Sequence, residues 1–155
     1  MRGKYKVVKG DIFKSLSGDK CNVIAHVCNN LGVWGKGFTA ALDKRWPEVG
    51  KYYQTYLYHV LGTNIVADTA SGDIVVCMIA QDGLPSNGNK RPLKYAALVE
   101  CMVEVLNRTK MEYWTDLRCP KFGSGLARGN WEFIEELIKE IWVDNGLNVT
   151  VYELE

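Results

Sequence analysis

Short apolar runs alternate along this chain with longer segments of helical period, and that alternation restricts the available folds more than any other feature. A chain patterned this way builds an α/β layer fold rather than a bundle or an all-β sandwich. The run NVIAHVCN, residues 22–29, is nearly continuously apolar, as a strand must be when both faces of a parallel or mixed sheet are covered. YKVVKGDIF reads as a first strand that turns at Gly10-Asp11. FTAALDKRW has helical character and stops at Pro47, and the spacing predicts a second helix over 47–62 with Pro47 in its first turn. NIVADTASGDIVVCMIA reads as two strands joined by Ser71-Gly72-Asp73. Leu93, Ala96, Ala97, Val103 and Leu106 predict an amphipathic helix over 92–107. EYWTDLRCP supplies another strand, 130–144 a helix opened by an Asn cap, and NVTVYELE a last strand. No repeat, low-complexity tract or linker interrupts this order. Residues 1–155 therefore predict one domain, a mixed sheet between layers of helix.

Charge and cysteine usage narrow the function classes. The 19 Lys and Arg against 18 Asp and Glu leave a formal charge of +1. No global basic field exists to drive sequence-independent nucleic-acid binding, so any anion must be recognised locally. Cys21, Cys28, Cys77, Cys101 and Cys119 are odd in number and mostly embedded in apolar runs, the pattern of reduced, buried thiols in an intracellular protein. There is no Cys-x-x-Cys pair, and His26 and His59 are the two histidines, which argues against a dedicated zinc site. No metal and no cofactor are expected. The N-terminal stretch has no long apolar region, and the longest apolar run, IVVCMIA, falls far short of a membrane span. A soluble, cytoplasmic, monomeric protein is the expectation.

In sheets of this kind ligands bind beyond the carboxyl ends of the strands. Four loops fall there. In Gly10-Asp11-Ile12, the acidic side chain either accepts from an exocyclic amine while the next amide donates to a ring nitrogen, or caps its own turn. NNLGVWGKG has Gly32, Gly35 and Gly37 before a helix start, either a run of exposed amides fit for an anion or a turn with Trp34 tucked beneath. It matches neither Gly-x-Gly-x-x-Gly nor Gly-x-x-x-x-Gly-Lys-Ser/Thr. QDGLPSNGNKR, 81–91, is a long polar loop of the kind that forms lids or surface connections. CPKFGSGLARGNW places Gly123, Gly125 and Gly129 between a strand and a helix. Two glycine-rich cradles facing one crevice suit a diphosphate with a sugar on either side, a nucleotide-like ligand.

These residues resemble the macro domains, which bind ADP-ribose. The order Gly10-Asp11-Ile12, VIAHVCN with its glycine loop, FGSGLARGNW and VTVYELE spans essentially the whole chain. More narrowly, HVCNNLGVWGKGFTAALDKRWPEVGKYY resembles the ADP-ribose 1″-phosphate phosphatase subgroup. The resemblance implies a three-layer α/β/α fold with a central mixed β-sheet and, as partner, ADP-ribose or a derivative, including ADP-ribosylated protein or nucleic acid. It further implies that Asp11 contacts the adenine amine and the Ile12 amide the ring. Asn29 would hold the distal ribose, with Gly35, Lys36 and Gly37 lining that ribose and the near phosphate. Amides of Gly123, Ser124, Gly125 and Leu126 would wrap the diphosphate, and Phe122 would flank the sugar. A related branch uses a lysine nucleophile and an acidic loop residue where this chain has Gln81 and Ala127, so the lysyl route is not expected. Many members also carry an asparagine where this chain has His26.

Hydrolysis at the distal ribose needs a positioned water, a proton acceptor and donors for the developing charge. His26 or Asp82 is the expected acceptor, with Asn29 and loop amides stabilising the charge; His26 alternatively points into the core. Trp34 either closes one side of the ribose pocket or packs beneath its loop. Lys90 and Arg91 are expected to close over the phosphate. The rival readings are an ADP-ribosyl or O-acyl-ADP-ribose hydrolase and a non-catalytic reader of ADP-ribose.

Overall fold

The computed structural model describes residues 1–14, 16, 18, 21–85 and 91–154. Residues 86–90 of the long polar loop, Lys90 among them, lie outside them. The described strands are β1 (Tyr5–Lys9), β2 (Val23–Asn29), β3 (Asn64–Asp68), β4 (Ile74–Gln81), β5 (Asp116–Pro120) and β6 (Asn148–Glu153). They form one six-stranded sheet in the order β1-β6-β5-β2-β4-β3. Every pairing is parallel except that of β3 with β4, the two strands of the predicted hairpin. The helices are α1 (Phe38–Arg45), α2 (Pro47–Thr55), α3 (Tyr95–Glu112) and α4 (Trp131–Leu137).

Alternation along the central strands divides the core into two. Val23 and Ala25 of β2, with Val76, Met78 and Ala80 of β4, pack against Leu98, Met102 and Val105 of α3 and against Ile134 of α4. Ile24 and Cys28, with Val75, Cys77 and Ile79, pack against Leu42 of α1 and Val49 and Tyr53 of α2. Coverage of both faces is why β2 and β4 carry no polar alternation. Between Cys28 and Asn29 the β2–β4 register slips, so that Asn29 pairs with Gln81. Such a bulge re-aims the side chains at the end of a strand, and here it lies where the first glycine loop departs.

Three helices differ from their predicted extents. The second ends at Thr55 rather than near residue 62, because the His59 ring folds back and donates from Nε2 to the Tyr53 carbonyl at 2.8 Å. That ring takes one of the carbonyls left unpaired at a helix end. The third begins at Tyr95, not 92, since Lys94 N donates to Ala80 O and Leu93 bridges to Gln81, holding the chain extended. The last gives way after Leu137 to a π-helical turn (Ile138–Trp142) and a short 3₁₀ turn (Val143–Asn145). The wider turn brings Ile138, Trp142 and Val143 all into the core, with Trp142 Nε1 donating to Met102 O at 2.9 Å. Asn130 caps α4 as expected, accepting from Phe133 N at 3.2 Å. Among the described residues no helix is long and apolar enough to cross a membrane.

Candidate functional site

All five parallel strands end on one side of the sheet, and a cavity of about 1070 Å³ opens there. It is bordered by Gly10, Asp11 and Ile12 after β1, by His26 to Asn29 at the end of β2, and by Val33, Trp34, Lys36 and Gly37 of the first glycine loop. Gln81, Leu84 and Pro85 border it after β4, and Phe122 to Ala127 after β5. Both glycine loops therefore face one cavity, whose size is at the upper end of the range for small-molecule sites.

Asn29 organises the first loop. Its Oδ1 accepts from the amides of Leu31 at 3.0 Å and Val33 at 3.1 Å, and its Nδ2 donates to Val33 O at 2.8 Å. The Tyr53 hydroxyl donates to the Asn29 carbonyl at 2.6 Å, locking the strand end from below. The loop then turns through Gly32, Gly35 and Gly37, with φ of 74°, 111° and 60°. Gly37 stands at the start of α1, where free amides favour an anion. Lys36 and Gly37 border the cavity, whereas Gly35 does not; its amide is taken by Thr39 Oγ1 at 2.8 Å. Trp34 lies between the cavity and the helix beneath its loop. It borders the cavity, and its indole packs on Gly50 of α2 so tightly that a Cβ there would lie 2.4 Å from Nε1.

Beneath this loop lies a cluster that strand spacing alone concealed. His26 is 1% exposed, and its Nε2 is 3.3 Å from Cys77 Sγ and 3.7 Å from Cys28 Sγ. The register pairs His26 with Cys77, and the two-residue period puts Cys28 on the same face. Trp34 and Phe38 close over the imidazole, at ring-centroid distances of 5.8 and 5.4 Å. Burial pushes both thiols up; at Cys77 the hydrogen bond from Cys28 and the nearby imidazole outweigh it and hold that thiol below its usual range, while Cys28 stays well above. His26 thus borders the cavity while its ring packs among core groups. Cys28, Cys77, Cys101 and Cys119 are buried and unpaired, whereas Cys21 is exposed, contrary to the expectation for most of the set only at that position.

The second loop is shaped by close backbone approach. Gly129 N donates to Gly123 O at 2.7 Å, and a Cβ on Gly129 would lie 2.5 Å from that oxygen. Gly125 meets nothing on its open side, and Ser124, Gly125 and Leu126 border the cavity with it. Phe122 also borders it; the residue is 3% exposed and its ring lies edge-on to Trp131 and Trp142, which anchors the loop in the core. At the far end, Asp11 Oδ1 accepts from Phe13 N at 2.8 Å, which fixes the turn. Phe13 and Phe38, stacked with centroids 5.9 Å apart, complete that wall. Neither was singled out from the sequence, although Phe13 directly follows the Asp11-Ile12 pair.

Two residues move out of the site. Asp82 does not border the cavity; its Oδ1 accepts from Asn30 Nδ2 at 3.0 Å and its amide donates to Pro92 O, tying two loops together. Arg91 donates to Leu93 O and lies 4.0 Å over the Tyr95 ring, a cation–π seat away from the cavity.

No family model matches the chain. A solved macrodomain protein from Streptomyces coelicolor is 32% identical, superposes with a TM-score of 0.78, and is matched over 98% of its length by 96% of this chain. The chain belongs to the macrodomain family. A structure of a protein of unknown function from Bacteroides thetaiotaomicron is 33% identical, with a TM-score of 0.84 and coverage of 97% of this chain and 98% of that one. In sequence, this macrodomain is 26% identical to a Candida albicans protein named ADP-ribose 1″-phosphate phosphatase, across 94% of the chain and 96% of the relative. The likeness therefore extends from the first strand to the last, as the order of the motifs implied.

Proposed function

We propose that this macrodomain binds ADP-ribose and hydrolyses a group from its distal ribose, first of all converting ADP-ribose 1″-phosphate to ADP-ribose and inorganic phosphate. The observation that carries the reading is the placement of both glycine loops on one cavity between an acidic turn and the end of β2. In this pose the adenine lies by Asp11 and the Ile12 amide, against Phe13. The diphosphate lies between Lys36 and Gly37 at the start of α1 and the amides of Gly123 to Leu126. The distal ribose lies over Asn29, Trp34 and His26. Water attacks the phosphorus, the bond from phosphorus to the ribose oxygen breaks with a proton from the water passing to that oxygen, and amides of the loop other than the Leu31 and Val33 amides taken by Asn29 stabilise the developing charge. Relatives at about a quarter identity that are named ADP-ribose 1″-phosphate phosphatase support the same reaction.

A reader that binds without turnover is favoured by one observation. The carboxylates bordering the cavity among the described residues are Asp11, in its own turn, and Glu153, whose Oε1 is 3.0 Å from Lys121 Nζ. Neither lies by His26. The two readings separate when ADP-ribose affinity is measured by calorimetry alongside release assays on ADP-ribose 1″-phosphate, O-acyl-ADP-ribose and ADP-ribosylated protein. Binding with phosphate release supports the phosphatase. Binding with no release from any of the three sinks the enzyme and leaves the reader.

A further inference from the structure

We propose that His26, Cys28 and Cys77 form a binding site for a single zinc ion in the floor of the cavity. One nitrogen and two sulfurs from these side chains all lie within 4.8 Å of one another. Tetrahedral zinc, with bonds of about 2.0–2.1 Å to nitrogen and about 2.3 Å to sulfur, needs nitrogen-to-sulfur edges of roughly 3.5 Å. The edges from His26 Nε2 are 3.3 Å to Cys77 and 3.7 Å to Cys28. Cys28 Sγ is also 3.8 Å from His26 Nδ1, so a turn of the side chains, with no movement of the sheet, brings the three donors onto one ion.

The sheet supplies this arrangement for a simple reason. His26 and Cys28 are two residues apart on β2, hence on one face, and Cys77 is the direct neighbour of His26 on β4. Both elements are central strands, so the ligands sit on the most rigid part of the fold. Entry is from the cavity, which His26 and Cys28 border and Cys77 does not. The fourth position therefore opens toward the bound ligand, the arrangement of catalytic rather than structural zinc.

Ligand type and charge choose the ion. Two sulfurs and an imidazole exclude magnesium and calcium, which take oxygen, and leave zinc and copper(I). Two thiolates with zinc(II) sum to zero, whereas with copper(I) they leave a net negative charge. His26, Cys28 and Cys77 are 1%, 4% and 0% exposed, and an uncompensated charge at such a depth is costly. A water on the ion would lose its proton near neutral pH, supplying the activated water that no bordering carboxylate is placed to provide. That use rests on the proposed reaction; the site does not.

The test uses the whole chain, reduced, stripped with a chelator, and loaded in turn with zinc and with cobalt(II). The site predicts one zinc per chain retained through desalting, and a cobalt form with a thiolate-to-metal charge-transfer band. Cys28→Ala and Cys77→Ala should each weaken retention by at least about tenfold, while Cys101→Ala, a buried cysteine outside the cluster, leaves it unchanged. Wild-type protein that retains no zinc overturns the site, as does equal retention by the Cys28→Ala/Cys77→Ala double variant. If those variants do not fold, a wild-type cobalt spectrum lacking the thiolate band overturns it alone. A chain that holds zinc but releases no phosphate contradicts the reaction and not the site; one that holds zinc but releases phosphate equally well when stripped contradicts the catalytic use of the ion, and neither the site nor the reaction.

Discussion

Asn29 shows how one side chain can serve a site by holding backbone. Its amide group makes bonds to Leu31, Val33 and Tyr53, which fix the turn that carries the loop's remaining amides past the cavity. Replacing it with Ala removes these at about 1 kcal/mol each, and the urea midpoint should fall by a stability change of about 2–4 kcal/mol. ADP-ribose affinity should fall with it, because the amides lose their aim. Asn29→Asp keeps the acceptor to both amides and should recover part of the stability; calorimetry that finds Asn29→Ala unchanged in both respects removes this role. The asparagine was legible in the sequence as a candidate site residue, but its bonds within the loop were not, since a loop's internal hydrogen bonds leave no pattern in spacing. The same holds for His26 and Cys77, 51 residues apart in sequence and adjacent in the sheet. Only the strand register, invisible to motif spacing, joins them.

At the scale of elements, α2 is the seat of Trp34. Helix propensity alone predicts that Gly50→Ala stabilises α2 by about 1 kcal/mol. The Cβ would meet the indole at 2.4 Å, and overpacking of this kind costs about 1–3 kcal/mol. The clash wins, so the variant should lose stability and bind ADP-ribose more weakly; an unchanged thermal midpoint with unchanged affinity would contradict it. A second element-level device ties the β3–β4 turn to the start of β2. Asp73 Oδ1 accepts from Asn22 N at 3.0 Å and Nδ2 at 2.8 Å, and Oδ2 from Ser71 Oγ at 2.7 Å. Burial raises its carboxyl, but these bonds outweigh burial and hold it below the usual range. A depressed folded value means stability is present above the ordinary carboxylate pKa of about 4 and lost as pH falls through the folded value. Chemical denaturation from neutral to acid pH should show that loss in the wild type and a shallower one in Asp73→Asn. Strand positions were legible because coverage on both faces leaves long apolar runs. Helix ends were not, because His59 and the bridge at Leu93 stop helices whose periodicity continues or begins earlier.

For the whole molecule, the cavity lies where five parallel strands end, so a ligand there touches loops from both halves of the sheet. Binding to the native state alone, at a hundred times Kd, adds about 2.7 kcal/mol. For a chain of this size the thermal midpoint should rise by roughly 5–10 °C, and a scan with saturating ADP-ribose that shows no rise contradicts the site. The fold and the two glycine loops were readable from the order of strands and glycines, whereas the cavity wall of Phe13 and Phe38 arises from tertiary packing across separate elements. The most direct measurement is a phosphorus NMR time course of ADP-ribose 1″-phosphate with the purified chain. The account predicts that the monoester signal decays as inorganic phosphate grows while the diphosphate signals persist. A monoester signal that stays constant, under conditions where calorimetry shows the same ligand bound, would contradict it.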